Sequence, residues 1–152
     1  MLTALIIIAA GAFAVFFEGW RKKEPPGFDI RFGIIEADGS GAWDVARETT
    51  VIPLLLKETG FCFGYSISPP DNSLYTTREV LSLPAPPRHI EFAVPVEKRE
   101  GGRVLITPDL IRQDRTVYPY SFSEGDPLGP WKLEIYINDQ PARTIRFQVI
   151  RA

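Results

Sequence analysis

The chain has a single cysteine, Cys62, and a single histidine, His89. One thiol cannot form an internal disulfide, so cysteine usage does not identify a redox compartment. One imidazole excludes a metal site built on several His or Cys ligands, and any bound cation would have to rely on carboxylates. Basic excess is missing too: 17 Lys and Arg stand against 19 Asp and Glu, a net charge of −2. That balance gives no electrostatic case for a nucleic-acid partner. There is no G-x-S-x-G elbow and no glycine-rich phosphate loop. Ser66, Ser68, Ser121 and Ser123 have only His89 as a possible imidazole base. Beyond residue 27 no stretch keeps a 3.6-residue apolar period for three turns, which argues against long helices. These absences predict a protein that is not an enzyme and carries no cofactor.

Proline, by contrast, is abundant: 14 residues, roughly twice the average share, which suits loops and strand edges. Residues 2–17 (LTALIIIAAGAFAVFF) carry no charge. As a helix this run spans about 24 Å at 1.5 Å per residue, short of a bilayer core of about 30 Å unless Glu18, Gly19 and Trp20 occupy the interface. Two readings compete. One is a secretory signal with Ala12-Phe13-Ala14 as the cleavage site, although no Lys or Arg precedes the apolar run. The other is an uncleaved anchor, with Arg21, Lys22 and Lys23 favouring a cytoplasmic downstream side. Either way, membrane contact is expected through residues 2–20. Residues 1–20 form the signal peptide or anchor helix, 21–27 (RKKEPPG) a linker, and 28–152 the folded domain.

Within 28–152 the apolar pattern has a period of two. Phe28, Ile30, Phe32 and Ile34 alternate with polar residues, as do Phe61, Phe63, Tyr65 and Ile67. Residues 49–55 predict an edge or bulged strand at Pro53. Further strands are expected over 76–83, 90–96 and 104–107. A helical turn from Pro108 and then a strand through Val117 are expected next. The last signal is the clearest: Trp131, Leu133, Ile135 and Ile137, a turn at 138–141, then Ile145, Phe147 and Val149. This is a terminal hairpin with one buried and one wet face. The prediction is an all-β, immunoglobulin-like β-sandwich of about seven to nine antiparallel strands behind one hydrophobic helix.

Three stretches carry a family resemblance: Phe32-Gly33-Ile34-Ile35; Thr49-Thr50-Val51-Ile52-Pro53 followed by Gly60-Phe61-Cys62-Phe63-Gly64-Tyr65; and 129–136 (GPWKLEIY) running on to Phe147-Gln148-Val149. In order and spacing they resemble a bacterial family of unknown function, domain family 3859, over residues 28–150. The resemblance implies a compact β-rich domain and supplies no activity or site residues. Read physically, Gly60 and Gly64 permit tight turning or close backbone approach, and the aromatics belong to the core.

Candidate sites are sparse. The 36–44 loop gathers Glu36, Asp38 and Asp44 among glycines, chemistry that hard cations favour, so Asp38 and Asp44 are the candidate metal ligands. Glu124 and Asp126 read as solvated. Trp43, Tyr75, Tyr118 and Tyr120 lie in or near expected loops and are the candidate binding aromatics, suited to a glycan or protein partner. The leading expectation is a binding or structural module of the bacterial cell envelope, anchored or exported, with an envelope protein or glycan as partner. The alternatives are a carboxylate- or metal-dependent hydrolase using the 36–44 loop, and a cytoplasm-facing anchored adaptor. Ligand, membrane side and oligomeric state stay open at this level.

Overall fold

The computed structural model describes residues 25, 27–89 and 92–152. The expected N-terminal helix and most of the linker therefore lie outside the described residues. Among those described, no helix is long and apolar enough to cross a membrane.

Among the described residues eleven strands form two sheets, which makes the fold an all-β sandwich. The first sheet has the order β2-β1-β4-β9, from Trp43–Glu48, Asp29–Ala37, Cys62–Ser68 and Thr116–Tyr120. The second runs β3-β11-β10-β5-β7-β6, from Val51–Leu54, Gln140–Arg151, Gly129–Ile137, Tyr75–Ser82, Val104–Ile106 and Glu97–Arg99. A further strand, β8 (Leu110–Arg112), also pairs with β5.

The strand count exceeds the seven to nine expected from the sequence. The additional strands are of the kind that alternation does not reveal. β6 and β8 have three residues each, and β2 is exposed at most positions. Two other expectations need correction. The segment after Pro108 is strand β8, with no helical turn. Residues 92–96 carry no strand, and β6 begins only at Glu97. The sheets are not wholly antiparallel either: β3 lies parallel to β11, with Ile52 opposite Val149 and Pro53 opposite Ile150. β3 is an edge strand, which accommodates the N–H that Pro53 lacks.

The inner faces follow the sequence alternation. Ile30, Phe32 and Ile34 of β1 and Phe63, Tyr65 and Ile67 of β4 meet Leu133, Ile135 and Ile137 of β10 and Ile145, Phe147 and Val149 of β11, all buried. Phe32 lies 4.9 Å from Phe147 between ring centroids, and Phe63 stacks on Phe122 at 4.6 Å. The terminal hairpin pairs Trp131 with Phe147 and Leu133 with Ile145, and its turn places Asn138 and Asp139 at positive φ, which these residue types tolerate.

One glycine fixes how the first sheet ends. Gly64 of β4 pairs with Pro119 of β9, and a Cβ at Gly64 would stand 2.0 Å from the Tyr118 carbonyl oxygen. The bare backbone lets β9 draw close, and that approach sets Tyr118 and Tyr120 against the facing sheet.

Candidate ligand cavity beside the Glu79 clasp

β5 alternates strictly, with Tyr75, Thr77, Glu79 and Leu81 buried and the residues between them half-buried. Its central inward residue is thus a carboxylate, and Glu79 is only 7% exposed. The edge of β5 is shared by two short strands in succession. β7 pairs over Val80–Ser82 and β8 over Tyr75–Thr77, which leaves Glu79 at the gap. Thr107 fills that gap: its backbone N–H donates to the Glu79 carbonyl at 3.0 Å, and its Oγ1 accepts from the Glu79 N–H at 2.9 Å. The backbone is therefore satisfied where the ladder breaks.

The Glu79 side chain crosses to the other sheet. Tyr65 of β4 donates its hydroxyl to Oε1, and Tyr120 of β9 donates to Oε2 at 2.7 Å. Two phenols from one sheet thus hold one carboxylate from the other, a polar clasp through an otherwise apolar interior. Burial pushes the Glu79 pKa up, although the two phenol hydrogen bonds and the Arg112 charge work against it. Burial first, then the adjacent Glu79 charge, pushes both Tyr65 and Tyr120 well above the ordinary tyrosine range. Both phenols therefore keep their protons.

A second cluster lies beside the clasp. The Tyr118 ring stacks on Tyr65 at 4.6 Å and 11°. Its hydroxyl lies 2.6 Å from Thr77 Oγ1 and accepts from Arg112 Nε at 3.1 Å. The Arg112 guanidinium carbon stands 5.5 Å from the centre of the same ring. That hydrogen bond, the leading cause, raises the Arg112 pKa and keeps it charged.

Beside these groups lies a partly open cavity of about 560 Å³. Arg112 and Tyr118 line one part, Glu79, Thr107 and Tyr120 another, and the apolar wall includes Leu81, Leu83, Leu105, Phe122 and Trp131. The register orders them along β5: Arg112 stands opposite Tyr75, Leu110 opposite Thr77, Leu105 opposite Leu81. Asp126 also lines the cavity, where burial raises its pKa and the Ser123 N–H donates to it at 2.8 Å. It is thus half-buried, not the freely solvated residue expected from its Gly-Pro neighbourhood.

The sequence candidates divide. Tyr118 and Tyr120 do come together, at the cavity, but in strand β9 and not in a loop. Tyr75 opens β5 and is buried at 2% exposure, its hydroxyl donating to the Asp114 carbonyl at 2.8 Å. It closes that end of the core. Trp43 stands apart at the start of β2, nearly half exposed. Asp38 is occupied by its own turn, accepting from the Ser40 N–H and hydroxyl and from the Ala42 N–H. These bonds, led by the Ser40 hydroxyl, lower its pKa. Asp44 accepts from the Val45 N–H and pairs with Arg115 and Arg31. Among the described residues no group of three His, Cys, Asp or Glu side chains is placed to hold a metal ion. Cys62 is half-buried, with its sulfur 3.5 Å from Ser121 Oγ, while His89 is exposed.

Glu79, Thr107 and Arg112 escape sequence reasoning. The available signal for Glu79 is a charge on the inward phase of a strand whose neighbours Thr77 and Leu81 are core.

A family model described as the PM0630 beta sandwich domain matches residues 30–150. The chain belongs to this family. The PM0630 match runs from the second residue of β1 to the penultimate residue of β11, and so includes the clasp and the cavity. No curated protein matches the sequence. Among solved structures, an immunoglobulin-like protein from Pseudomonas aeruginosa is similar at a TM-score of 0.48 and 17% identity, covering 80% of this chain and 92% of that one. The alkylpurine DNA glycosylase AlkC of Pseudomonas fluorescens, bound to DNA containing an abasic site analog, is similar at a TM-score of 0.35 and 11% identity, covering 83% of this chain and 31% of that one.

Proposed function

We propose that this chain is a non-enzymatic binding module of the bacterial cell envelope, immunoglobulin-like in fold, that holds a small, largely apolar molecule between its sheets. The observation that carries the reading is the cavity of about 560 Å³. Its size falls in the range of about 300–1,000 Å³ typical of small-molecule sites, and apolar walls with a few convergent polar groups are the usual lining. The placement at the envelope rests on the uncharged run 2–17. The finer kinship with domain family 3859 rests on the T-x-I-P and G-x-x-F-G stretches. Asp38 and Asp44 are committed to a turn and to ion pairs, so the carboxylate-hydrolase reading gains no support from them.

Trp131 lines the cavity and serves as the reporter. In a full chain carrying Trp20→Phe and Trp43→Phe it is the remaining tryptophan. A brominated alkane should quench it saturably, and Leu105→Phe should weaken that quenching by narrowing the cavity. Linear, unsaturable quenching equal to that of free tryptophan would refute the binding role. Protease accessibility of the domain in spheroplasts tests the location: protection favours the cytoplasm-facing adaptor that Arg21, Lys22 and Lys23 suggest.

A further inference from the structure

We propose that the ligand of this cavity is an anionic amphiphile, with its acidic head at the Arg112 guanidinium and its apolar body along Leu81, Leu105 and Leu83. The inference rests on the cavity being a ligand site and adds which way round the ligand lies and what charge it carries.

Three observations support it. The cavity is chemically graded along β5. The register puts Arg112 by Tyr75 and Thr77, at one end of the strand, and Leu105 by Leu81, towards the other. Arg112 is half-buried, and its one hydrogen bond uses Nε, toward Tyr118. Among the described residues its two terminal nitrogens have neither a hydrogen-bond nor an ion-pair partner. A guanidinium with its stem fixed and its fork open is suited to bidentate capture of a carboxylate or similar anion. The stacked Tyr65–Tyr118 pair holds the phenol that fixes Arg112, so the head-group site is pre-organised.

The second observation concerns the other acids in the cavity. Glu79 has both oxygens engaged by phenols, and burial drives it toward the neutral form. Asp126 is engaged by the Ser123 N–H and shifted in the same direction. Neither sets a free carboxylate against an incoming anion at the Arg112 end. The third is the composition of the remaining wall. Leu81, Leu83 and Leu105 are buried side chains that nonetheless face the cavity, and contact with a hydrocarbon body would remove their remaining exposed surface from water.

The test uses the full chain and three probes of equal length that differ in head group: octanoate, octanol and octylamine. Binding is followed by NMR shifts of the Leu81 and Leu105 methyls and of Arg112 Nε. Octanoate should bind about tenfold or more tighter than octanol, as expected for a charge-assisted hydrogen bond, and octylamine weakest. Arg112→Met, which keeps the stem, should erase the preference for octanoate over octanol. Arg112→Lys should retain part of it, and unshifted core methyls of Leu133 and Ile145 verify the fold of each variant. Equal binding of octanol and octanoate, or tighter binding of octylamine, would overturn the assigned head group while leaving the cavity as a binding site. Failure of all three probes to shift the Leu81 and Leu105 methyls would overturn both readings.

Discussion

The space between the two sheets has two halves, filled in different ways. Under β1, β4, β10 and β11 the strands are seven to twelve residues long. Their inner faces are apolar, and Phe32, Leu133, Ile137 and Phe147 close the space. Under β5, β7, β8 and β9 the edge of β5 turned away from β10 is covered by two strands of three residues, β9 contains a proline, and the interior holds Glu79, three tyrosine hydroxyls and a cavity. Long strands bring continuous apolar faces together. Short, interrupted ones leave room for polar groups. Binding chemistry is thus placed where the ladder is weakest, and the closed half supplies the stability that tolerates it.

The comparison breaks most readily in the closed half. Phe147→Ala should cost about 3–5 kcal/mol, because three rings pack on Phe147 within 6 Å and cannot follow its loss. Chemical denaturation checks this, and a cost below 2 kcal/mol would mean that the halves are not so different. Leu133→Ala and Leu105→Ala form a matched pair. Leu133 should fall in the upper part of the usual span of about 2–5 kcal/mol and Leu105 at its foot, because Leu105 already borders open volume. Equal costs would contradict the contrast.

Glu79→Ala should cost about 2–4 kcal/mol, since it leaves the Tyr65 and Tyr120 hydroxyls without their acceptor. Glu79→Gln adds a pH test. The folded pKa of Glu79 is raised above its unfolded value of about 4.3. Its contribution is therefore fully present below the unfolded value and is lost as pH rises through the folded one. Wild type should lose stability relative to Glu79→Gln as pH rises above the unfolded value of about 4.3, as urea midpoints of both proteins will show. A difference that instead grew in favour of wild type would reverse the sign argued for Glu79.

A smaller effect is expected from Gly64→Ala. The added methyl meets the Tyr118 carbonyl oxygen, so β9 must back away at a cost of about 1–3 kcal/mol. Amide exchange should quicken in β9 ahead of β10, and uniform exchange across both sheets would show that the glycine does not govern that contact. Smallest of all, Asp38→Asn should disturb only its own turn and leave the cavity methyls unshifted in NMR spectra.

Much of the closed half is legible in the sequence. Phe28 to Ile34, Phe61 to Ile67 and the hairpin from Trp131 to Val149 alternate at period two, and each forms strand with its apolar phase inward, apart from the less buried Phe28 and Phe61, which precede β1 and β4. Pro53 correctly indicates an edge. The open half is less legible. β2, β6 and β8 are too short or too polar to show a period, and Tyr118 and Tyr120 resemble loop residues because Pro119 separates them. Asp38 and Asp44 look alike as carboxylates among glycines. Only the folded arrangement supplies the partners, a turn for one and Arg115 for the other, that distinguish their surroundings.

The sequence by itself determined that this domain is a stack of half-buried strands, because the side-chain period of a strand is a local property. It also marked where the apolar N-terminal run ends and the strand patterns begin. Only the tertiary structure decided that Glu79 of β5, Tyr65 of β4 and Tyr120 of β9 form one hydrogen-bonded unit beside a cavity that Arg112 borders. Those residues are separated by up to 55 positions along the chain, from Tyr65 to Tyr120. Nothing local couples them. Their meeting depends on the register of two sheets, on the bare backbone of Gly64, and on the energetic need of a buried carboxylate for donors wherever the fold provides them.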